Sequence, residues 1–183
     1  MTRKSLKFVA LSLALALFTV VGLVNTAAAG NYGNRPAAAS PTLVDKAIEL
    51  NTSGMYAGSF DVLLCLVTKY PDIVATLSQK GQYVVFAPTD DAFAALGLNE
   101  GNCESYQMAN ADAVKNILLY HVAKGRKDAA EVTMSSYLKM LNGGTAEVTS
   151  SMGKYYIDGA EIIVTDQFAS NGVIHAVGGV LTP

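Results

Sequence analysis

The order of hydrophobic patterns along this chain restricts its fold more than any other feature. Segments near residues 43–50, 60–67, 72–79 and 110–121 favour helices, several of them with apolar residues at intervals of three and four. The last third instead alternates apolar and polar residues between turn signals, as strands do. Because helices come early and strands late, the chain is predicted to form one α+β domain and not a parallel sheet.

The first N–H groups of a helix have no partner within it. Helix starts are therefore expected at residues whose side chains accept such an N–H, or at proline, which has none. Pro41 suits the first turn of the first helix, and Ser59 is expected to cap the second. A third, short helix is predicted over Asp72–Gln79. Asn110 is expected to cap a further helix, whose apolar face includes His121.

One segment combines a strand, a sharp turn and a helix. Tyr83–Ala87 is β-branched and aromatic, which predicts a buried strand, and Pro88 is expected to end its pairing because proline has no N–H to donate. Thr89 then suits a helix N-cap, with Asp90 and Asp91 in the first turn, where the helix dipole favours negative charge.

Two turn signals organise the predicted strands near the end of the chain. Tyr155–Ile157 and Glu161–Val164 flank Asp158–Gly159, a strong signal for a two-residue hairpin. Asn171–Gly172 predicts a second turn, directly before the apolar segment Val173–Val177.

The amino terminus has the pattern of an export signal. Arg3, Lys4 and Lys7 precede the uncharged apolar run Phe8–Val24, and Thr26–Ala29 supplies the small residues of a cleavage site. The alternative is an uncleaved membrane anchor, since the apolar run approaches the length of a bilayer-spanning helix.

The predicted export signal determines how the chain is divided into segments and what net charge the mature protein carries. Residues 1–29 are predicted to be the signal peptide, residues 30–41 a flexible leader and residues 42–183 a single domain. Without the three leading bases, ten basic residues face 15 acidic ones, and the net charge changes from −2 to −5. Such a chain is a poor candidate for nucleic-acid binding, because phosphate contacts need clustered Lys and Arg.

Export also decides how the two cysteines are interpreted. Cys65 lies in an apolar helical stretch, whereas Cys103 lies in a polar loop. In an oxidising compartment an even pair favours a disulfide, which is the pairing we expect. A buried, inert thiol at Cys65 is the alternative, while a zinc site is disfavoured because neither cysteine has a neighbouring His.

No pattern of catalytic residues stands out. The two histidines, His121 and His175, lie outside zinc-helix and nucleophile-elbow patterns, and the paired glycines lack the spacing and the Lys of a nucleotide loop. His121 is predicted to be a structural imidazole beside the Pro88–Asp90 turn, and His175 to be a strand residue with one half-buried face. No catalytic, cofactor or metal site is assigned, and the chain is not expected to be an enzyme.

Three other features are open to a functional or a structural interpretation. The basic cluster of Lys124, Arg126 and Lys127 suits an acidic glycan or a lipid headgroup, although solvated charges after a helix are common. Asn51 begins an N-glycosylation acceptor pattern. The Met and Tyr side chains either line a hydrophobic ligand groove or pack in the core and on the surface.

Three motifs, taken in order, resemble those of one protein family. Tyr83–Phe93 is similar to the first signature of fasciclin (FAS1) domains, and Leu119–Val122 is similar to their central Tyr-His motif. Ser170–Val177, with Val180–Leu181, is similar to the second signature. The resemblance spans nearly the whole predicted domain.

The resemblance implies the FAS1 fold, a β-sheet wedge or sandwich with a flanking group of helices. It implies a role in adhesion or extracellular interaction and does not imply catalysis. By the same resemblance, Thr89, Asp90 and His121 would form a polar knot beneath the Tyr-His segment. The other motif positions are Tyr120, Asn171, Gly172 and His175.

An interaction surface is implied as well. Animal members are thought to engage integrins through an Asp-Ile pair before the second signature and through the Tyr-His region. The aligned pair in this chain is Asp166–Gln167, which departs from that pattern. The candidate surface consists of Tyr120, Lys124, Arg126, Lys127 and Asp166.

The sequence thus predicts a fasciclin domain that is secreted or exposed at the cell surface, extracellular or periplasmic, and that binds other proteins or glycans. The alternative is a soluble extracellular carrier of an apolar ligand such as a carotenoid, since some fasciclin-like proteins resemble carotenoid-binding proteins. No other cofactor is expected, and membrane contact is expected only if the N-terminal segment stays uncleaved.

Overall fold

The computed structural model of the protein describes residues 40–183. The predicted signal peptide, and all of the predicted leader before Ser40, lie outside the described residues. Between residues 40 and 183, no helix combines the length and the apolar character that crossing a membrane requires.

Helices and strands follow one another in the predicted order, with helices prevailing early and strands late. The helices are α1 (Leu43–Thr52), α2 (Asp61–Val67), α3 (Pro71–Ser78), α4 (Asp90–Ala94), α5 (Cys103–Ala109), α6 (Ala111–Tyr120) and α7 (Ala129–Met134). The strands are β1 (Tyr83–Pro88), β2 (Val122–Lys124), β3 (Tyr137–Lys139), β4 (Thr145–Ser151), β5 (Lys154–Ile157), β6 (Ala160–Ala169) and β7 (Gly172–Val177). The α+β class with flanking helices is confirmed.

All seven strands form one sheet in the order β2-β1-β7-β6-β5-β4-β3. Every neighbouring pair is antiparallel except β1 and β7, which run parallel with Phe86 opposite His175. The sheet is therefore mixed and not a parallel sheet, as predicted, with one parallel pair that the sequence did not indicate. Pro88 was expected to end the pairing, yet it lies opposite Val177, and the N–H of Thr89 still donates to the Val177 carbonyl at 3.2 Å. Proline is tolerated here because the next residue supplies the donor.

The sheet curls until its two outer strands meet. Ala123 on β2 forms a single bridge with Met140, which directly follows β3, and the N–H of Leu141 donates to the carbonyl of Val122 at 2.8 Å. The curled sheet therefore has an inner face that is closed off from solvent and an outer face.

Two hydrophobic cores result from this curvature. Alternate residues of β1 divide between them, because Val84 and Phe86 point into the inner face, while Val85 and Ala87 face the helices. The inner core also contains Leu138 and Ile157, among others. The outer core joins the sheet to the helices and includes Leu43, Phe60, Leu66, Ile73, Leu77, Phe93, Val114, Leu118 and Ile174.

The hairpin turns only partly follow the sequence signals. Asp158 and Gly159 form the predicted two-residue turn between β5 and β6, with φ of 44° and 79°. Met152 and Gly153 form a similar turn that was not predicted, with φ of 52° and 77°. The second predicted turn is shifted by one residue, since Gly172 already pairs with Ala169 in the strand ladder.

The helix starts required more correction than the helices themselves. Thr42 caps α1 in a reciprocal capping box with Asp45, and Pro41 precedes the cap instead of entering the first turn. Ser59 does not cap α2, which begins after Phe60 without a side-chain bond from its own cap residue. The polar segment that contains Cys103 was expected to be a loop, but it begins helix α5.

The expected disulfide joins Cys65 on α2 to Cys103 on α5. Their Cα atoms are 6.4 Å apart, and 38 positions separate them in the sequence. Cys103 is buried, with 1% of its surface exposed, so the bridge fixes α5 against the helical core.

Replacing both cysteines by alanine is expected to lower the free energy of unfolding by about 4 kcal/mol, because the long loop loses its cross-link in the unfolded chain. Urea unfolding of the Cys65→Ala/Cys103→Ala variant measures this difference. The parent protein under a thiol reductant is the control and should unfold like the variant. An unchanged midpoint after complete reduction would contradict a stabilising role of the bridge.

Candidate functional site

The motif residues lie along the central strands β1 and β7 and at the ends of the helices that pack on them. Six of the seven are buried, and Asp90 is half-buried. Their hydrogen bonds, described in turn below, decide whether they form a reactive site or hold the fold.

Asn171 joins three separate elements through its amide group. Its Oδ1 accepts the N–H of Leu43 at 2.8 Å, at the start of α1. Its Nδ2 donates to the carbonyls of Leu77 and Gln79, at 2.7 and 2.9 Å, where α3 ends. Asn171 is 5% exposed, so the side chain satisfies two buried backbone groups, of Leu43 and Leu77, and a part-buried one of Gln79.

Gly172 follows at the point where β7 enters the sheet beside β1. A Cβ atom at this position would lie 2.2 Å from the carbonyl oxygen of Tyr83 and 2.9 Å from Leu43 Cδ1. Since the backbone of β1 approaches so closely, only glycine fits. The Asn-Gly pair therefore fixes the point where β7 packs beside β1, and the turn before β7 lies one residue earlier than predicted.

Asp90 acts on a helix other than its own. Its carboxylate oxygens accept the N–H groups of Asp61 and Val62, at 3.2 and 3.0 Å, and so cap the N-terminus of α2. Thr89 occupies the N-cap position of α4 as predicted, but its side chain makes no capping hydrogen bond.

His121 ends α6 and connects it to the last residues of the chain. Its Nδ1 lies 2.8 Å from the Ile117 carbonyl, and its Nε2 accepts the N–H of Leu181 at 2.9 Å. An acceptor at Nε2 places the proton of the neutral ring on Nδ1. Burial lowers the pKa of the imidazole to about 4, so the ring is neutral at physiological pH.

His175 is fully buried, against the expectation of one half-exposed face, because every residue of β7 is covered on both sides of the sheet. Its Nδ1 accepts the N–H of Asp166 at 3.2 Å, and its Nε2 donates to the Lys127 carbonyl at 3.1 Å. Desolvation lowers the pKa of this imidazole as well. Asp166 in turn accepts the N–H of Ala129 at 2.8 Å, at the start of α7.

Tyr120 is 5% exposed and is not available as the surface residue that was expected. Its hydroxyl donates to the Asp158 carboxylate and also lies 3.1 Å from the Thr145 carbonyl. Burial, and next the bond to Asp158, raise the pKa of the phenol to about 12. Asp158 also accepts the N–H of Glu147 at 2.7 Å, so one carboxylate fixes the β5–β6 turn to α6 and β4.

The structure therefore does not form the expected polar knot as one hydrogen-bonded cluster. Among the described residues, no hydrogen bond joins Thr89, Asp90 and His121 to one another. Asp90 and His121 bond through their side chains to backbone groups of neighbouring elements, whereas Thr89 contributes its backbone N–H to the Val177 carbonyl. All four ring nitrogens of the two histidines bind backbone groups, so none of them is free to take a proton from a substrate.

The remaining candidates lie at the surface near β2. Lys124 and Arg126 are exposed and Lys127 is half-buried. The Arg126 guanidinium lies 5.3 Å from the centre of the Phe168 ring. Asp166 is half-buried and engaged at α7, which corrects its place in the candidate surface. Over residues 40–183, no group of three potential metal ligands occurs.

Two polar residues were missed in the sequence. Asp158 was interpreted only as a turn residue, and nothing local indicates that its carboxylate meets Tyr120. Asn51 was noted only as a glycosylation acceptor, but its Oδ1 accepts the N–H of Phe60 at 2.8 Å and its Nδ2 donates to Asp61 at 2.7 Å. No sequence signal identifies such long-range caps.

Asn171→Ala is expected to lower the free energy of unfolding by about 3 kcal/mol, since the buried N–H of Leu43 and the buried carbonyl of Leu77 lose their partner. Denaturant unfolding at neutral pH measures the loss. The matched control is Asn116→Ala, whose side chain bonds to Asn142 at the surface. A loss of similar size in both variants would contradict the role given to Asn171.

The neutral state of His121 predicts an acid-dependent loss of stability. Its pKa is about 4 in the folded protein and 6.5 when unperturbed, so its contribution is complete above pH 6.5 and is lost as the pH falls towards 4. The loss amounts to about 3 kcal/mol at most. His175 acts in the same direction.

Unfolding free energies of the parent and of His121→Gln, measured between these two pH values, isolate the effect. Glutamine keeps an acceptor for Leu181 but does not titrate. We expect the unfolding free energy of the parent to fall more steeply with decreasing pH than that of His121→Gln. The difference in stability between the two proteins should therefore shrink at acid pH. Parallel curves would show that His121 is not the titrating group.

The sequence and fold were compared with known proteins. The family model of the fasciclin domain matches residues 58–183. The chain is 37% identical over 150 residues to Protein sll1483 of Synechocystis sp., covering 81% of each chain. It is 36% identical over 111 residues to transforming growth factor-beta-induced protein ig-h3 of Sus scrofa, which is 61% of this chain and 16% of that protein.

A solved structure shows the same fold. It is a FAS1 domain pair from the insect cell adhesion molecule fasciclin I, with a TM-score of 0.50 and 15% identity, over 66% of this chain and 43% of that one. The chain therefore spans only part of this structure and about a sixth of ig-h3. The family match and the fold agree with the motifs described above, and the chain belongs to the fasciclin domain family.

Proposed function

We propose that this protein is an exported fasciclin domain that acts in adhesion or extracellular interaction by binding proteins or glycans. The observation that supports it most is the internal use of the family motifs. Among the described residues, no buried side-chain nitrogen or oxygen atom lacks a hydrogen-bond partner. Since the motif residues are used to hold the fold, recognition falls to the exposed surface.

The carrier alternative has weaker support. An apolar cavity lies between α1, α2, α3 and the sheet, lined by Leu43, Leu63, Leu77 and Ile174 among others. Its volume is about 60 Å³, whereas ligand pockets usually measure about 300 Å³ or more. Enclosed binding of a carotenoid would require these helices to move away from the sheet.

The protein, expressed from residue 1, purified from the compartment that it reaches and immobilised on beads, is expected to retain cells or matrix from its own source in a saturable manner. Gly172→Val is the control, because the added side chain would collide with the Tyr83 carbonyl and prevent folding. The reduced and alkylated parent chain serves as a second unfolded control.

Equal retention by the folded protein and both controls, or no retention at all, would contradict the proposal. An absorbance spectrum of the protein from its native source adds a separate test. Visible absorbance that co-purifies would favour the carrier.

A further inference from the structure

The basic side chains are unevenly divided over residues 40–183. Four of the nine form ion pairs, namely Lys46, Lys69, Lys115 and Lys154. Of the five without an ion pair in this range, Lys80 lies before β1, whereas Lys124, Arg126, Lys127 and Lys139 belong to β2, β3 and the loop after β2. Most of the uncompensated positive charge is thus gathered at one place.

That place is a groove, which we term the seam groove, lined by residues 123, 124, 127, 135, 137–141 and 143. It opens where the contact between β2 and β3 is reduced to the single bridge of Ala123 with Met140. Its volume is about 530 Å³. Lys124, Lys127 and Lys139 line it together with Ser135 and Tyr137, and no lining residue is acidic.

The acidic residues nearest in the sequence form no ion pair with these lysines, and their carboxylates bond to backbone groups. Asp128 and Glu131 bond to each other's backbone N–H groups in the capping box of α7. Asp166 accepts a backbone N–H at the same helix start. Glu147 is exposed on β4 opposite Tyr137, but it is not among the groove-lining residues.

A second cleft of comparable size has the opposite character. It measures about 490 Å³, lies beside the disulfide, and is lined by Asp61, Glu100 and Glu104 without a basic residue. Glu104 is paired with Lys69, but Asp61 and Glu100 form no ion pair within residues 40–183. The lining of this cleft therefore favours an anionic ligand less than that of the seam groove, although the chain as a whole is acidic.

We propose that the seam groove binds an acidic polysaccharide through its carboxylate or sulfate groups. Lysine ammonium groups on flexible stems suit anionic groups spaced along a chain, and the 62% exposed ring of Tyr137 offers an apolar face with a polar tip to a sugar ring. This inference rests on the proposed function and names the partner class and the site.

The test measures binding of the protein, expressed from residue 1, to dextran sulfate, to polygalacturonate and to neutral dextran by titration calorimetry. The first two probes distinguish sulfate from carboxylate, and the third lacks charge. We expect binding to at least one charged polymer and none to dextran. For three ionic contacts the affinity should fall roughly 20- to 40-fold between about 50 and 200 mM salt.

The variant Lys124→Gln/Lys127→Gln/Lys139→Gln should bind at least about tenfold more weakly at low salt. The control Lys69→Gln/Lys80→Gln/Lys154→Gln has the same net charge as the groove variant, but it leaves the groove-lining lysines in place and should bind like the parent. Tyr137→Ala should weaken binding without changing the salt dependence. Equal losses in the two triple variants would show a non-specific charge effect and overturn the site.

Two further outcomes would also overturn the inference. One is that the protein binds anionic phospholipid vesicles but neither charged polymer. The other is that cells or matrix are retained equally by the groove variant and the control variant, which would leave the proposed function intact while removing this site. If the parent protein itself retains neither cells nor matrix, the proposed function is contradicted instead.

Discussion

The parallel contact between β1 and β7 is the constraint on which the rest of the structure depends. It brings together strands that are far apart in the chain, and β7 is buried at every position. The contact requires the absence of a side chain at Gly172, and the amide of Asn171 ties the first and third helices to the same point. Both hydrophobic cores are built on the two faces of this pair, so a fault at the crossing affects each of them.

The buried polar residues follow one principle, in which a side chain from one element satisfies backbone groups of another. Asp90 caps α2 from the start of α4, His121 joins α6 to the chain end, and His175 joins β7 to the loop before α7. An unsatisfied polar group in the interior is costly, so each of these contacts specifies one packing arrangement. The family motif is in this sense a set of structural junctions.

The sequence predicted the features that depend on local patterns. The Asp158–Gly159 turn, most helices and the structural role of His121 follow from periodicity, from turn chemistry or from the family resemblance. The parallel pair was missed because no local pattern shows that β7 inserts beside β1. The basic cluster of Lys124, Arg126 and Lys127 was noted in the sequence, but the seam groove was not predicted, since Lys139 joins Lys124 and Lys127 through the closure of the sheet, which a linear sequence does not display.

The meeting of β2 with β3 has a consequence for how this sheet can meet the edge of another one. An open sheet offers a row of free N–H and C=O groups to the edge of a neighbour, and such edges promote aggregation. Here the two outermost strands are three residues long each and turn towards one another. The short outer strands that face each other thereby disfavour edge-to-edge pairing with another sheet.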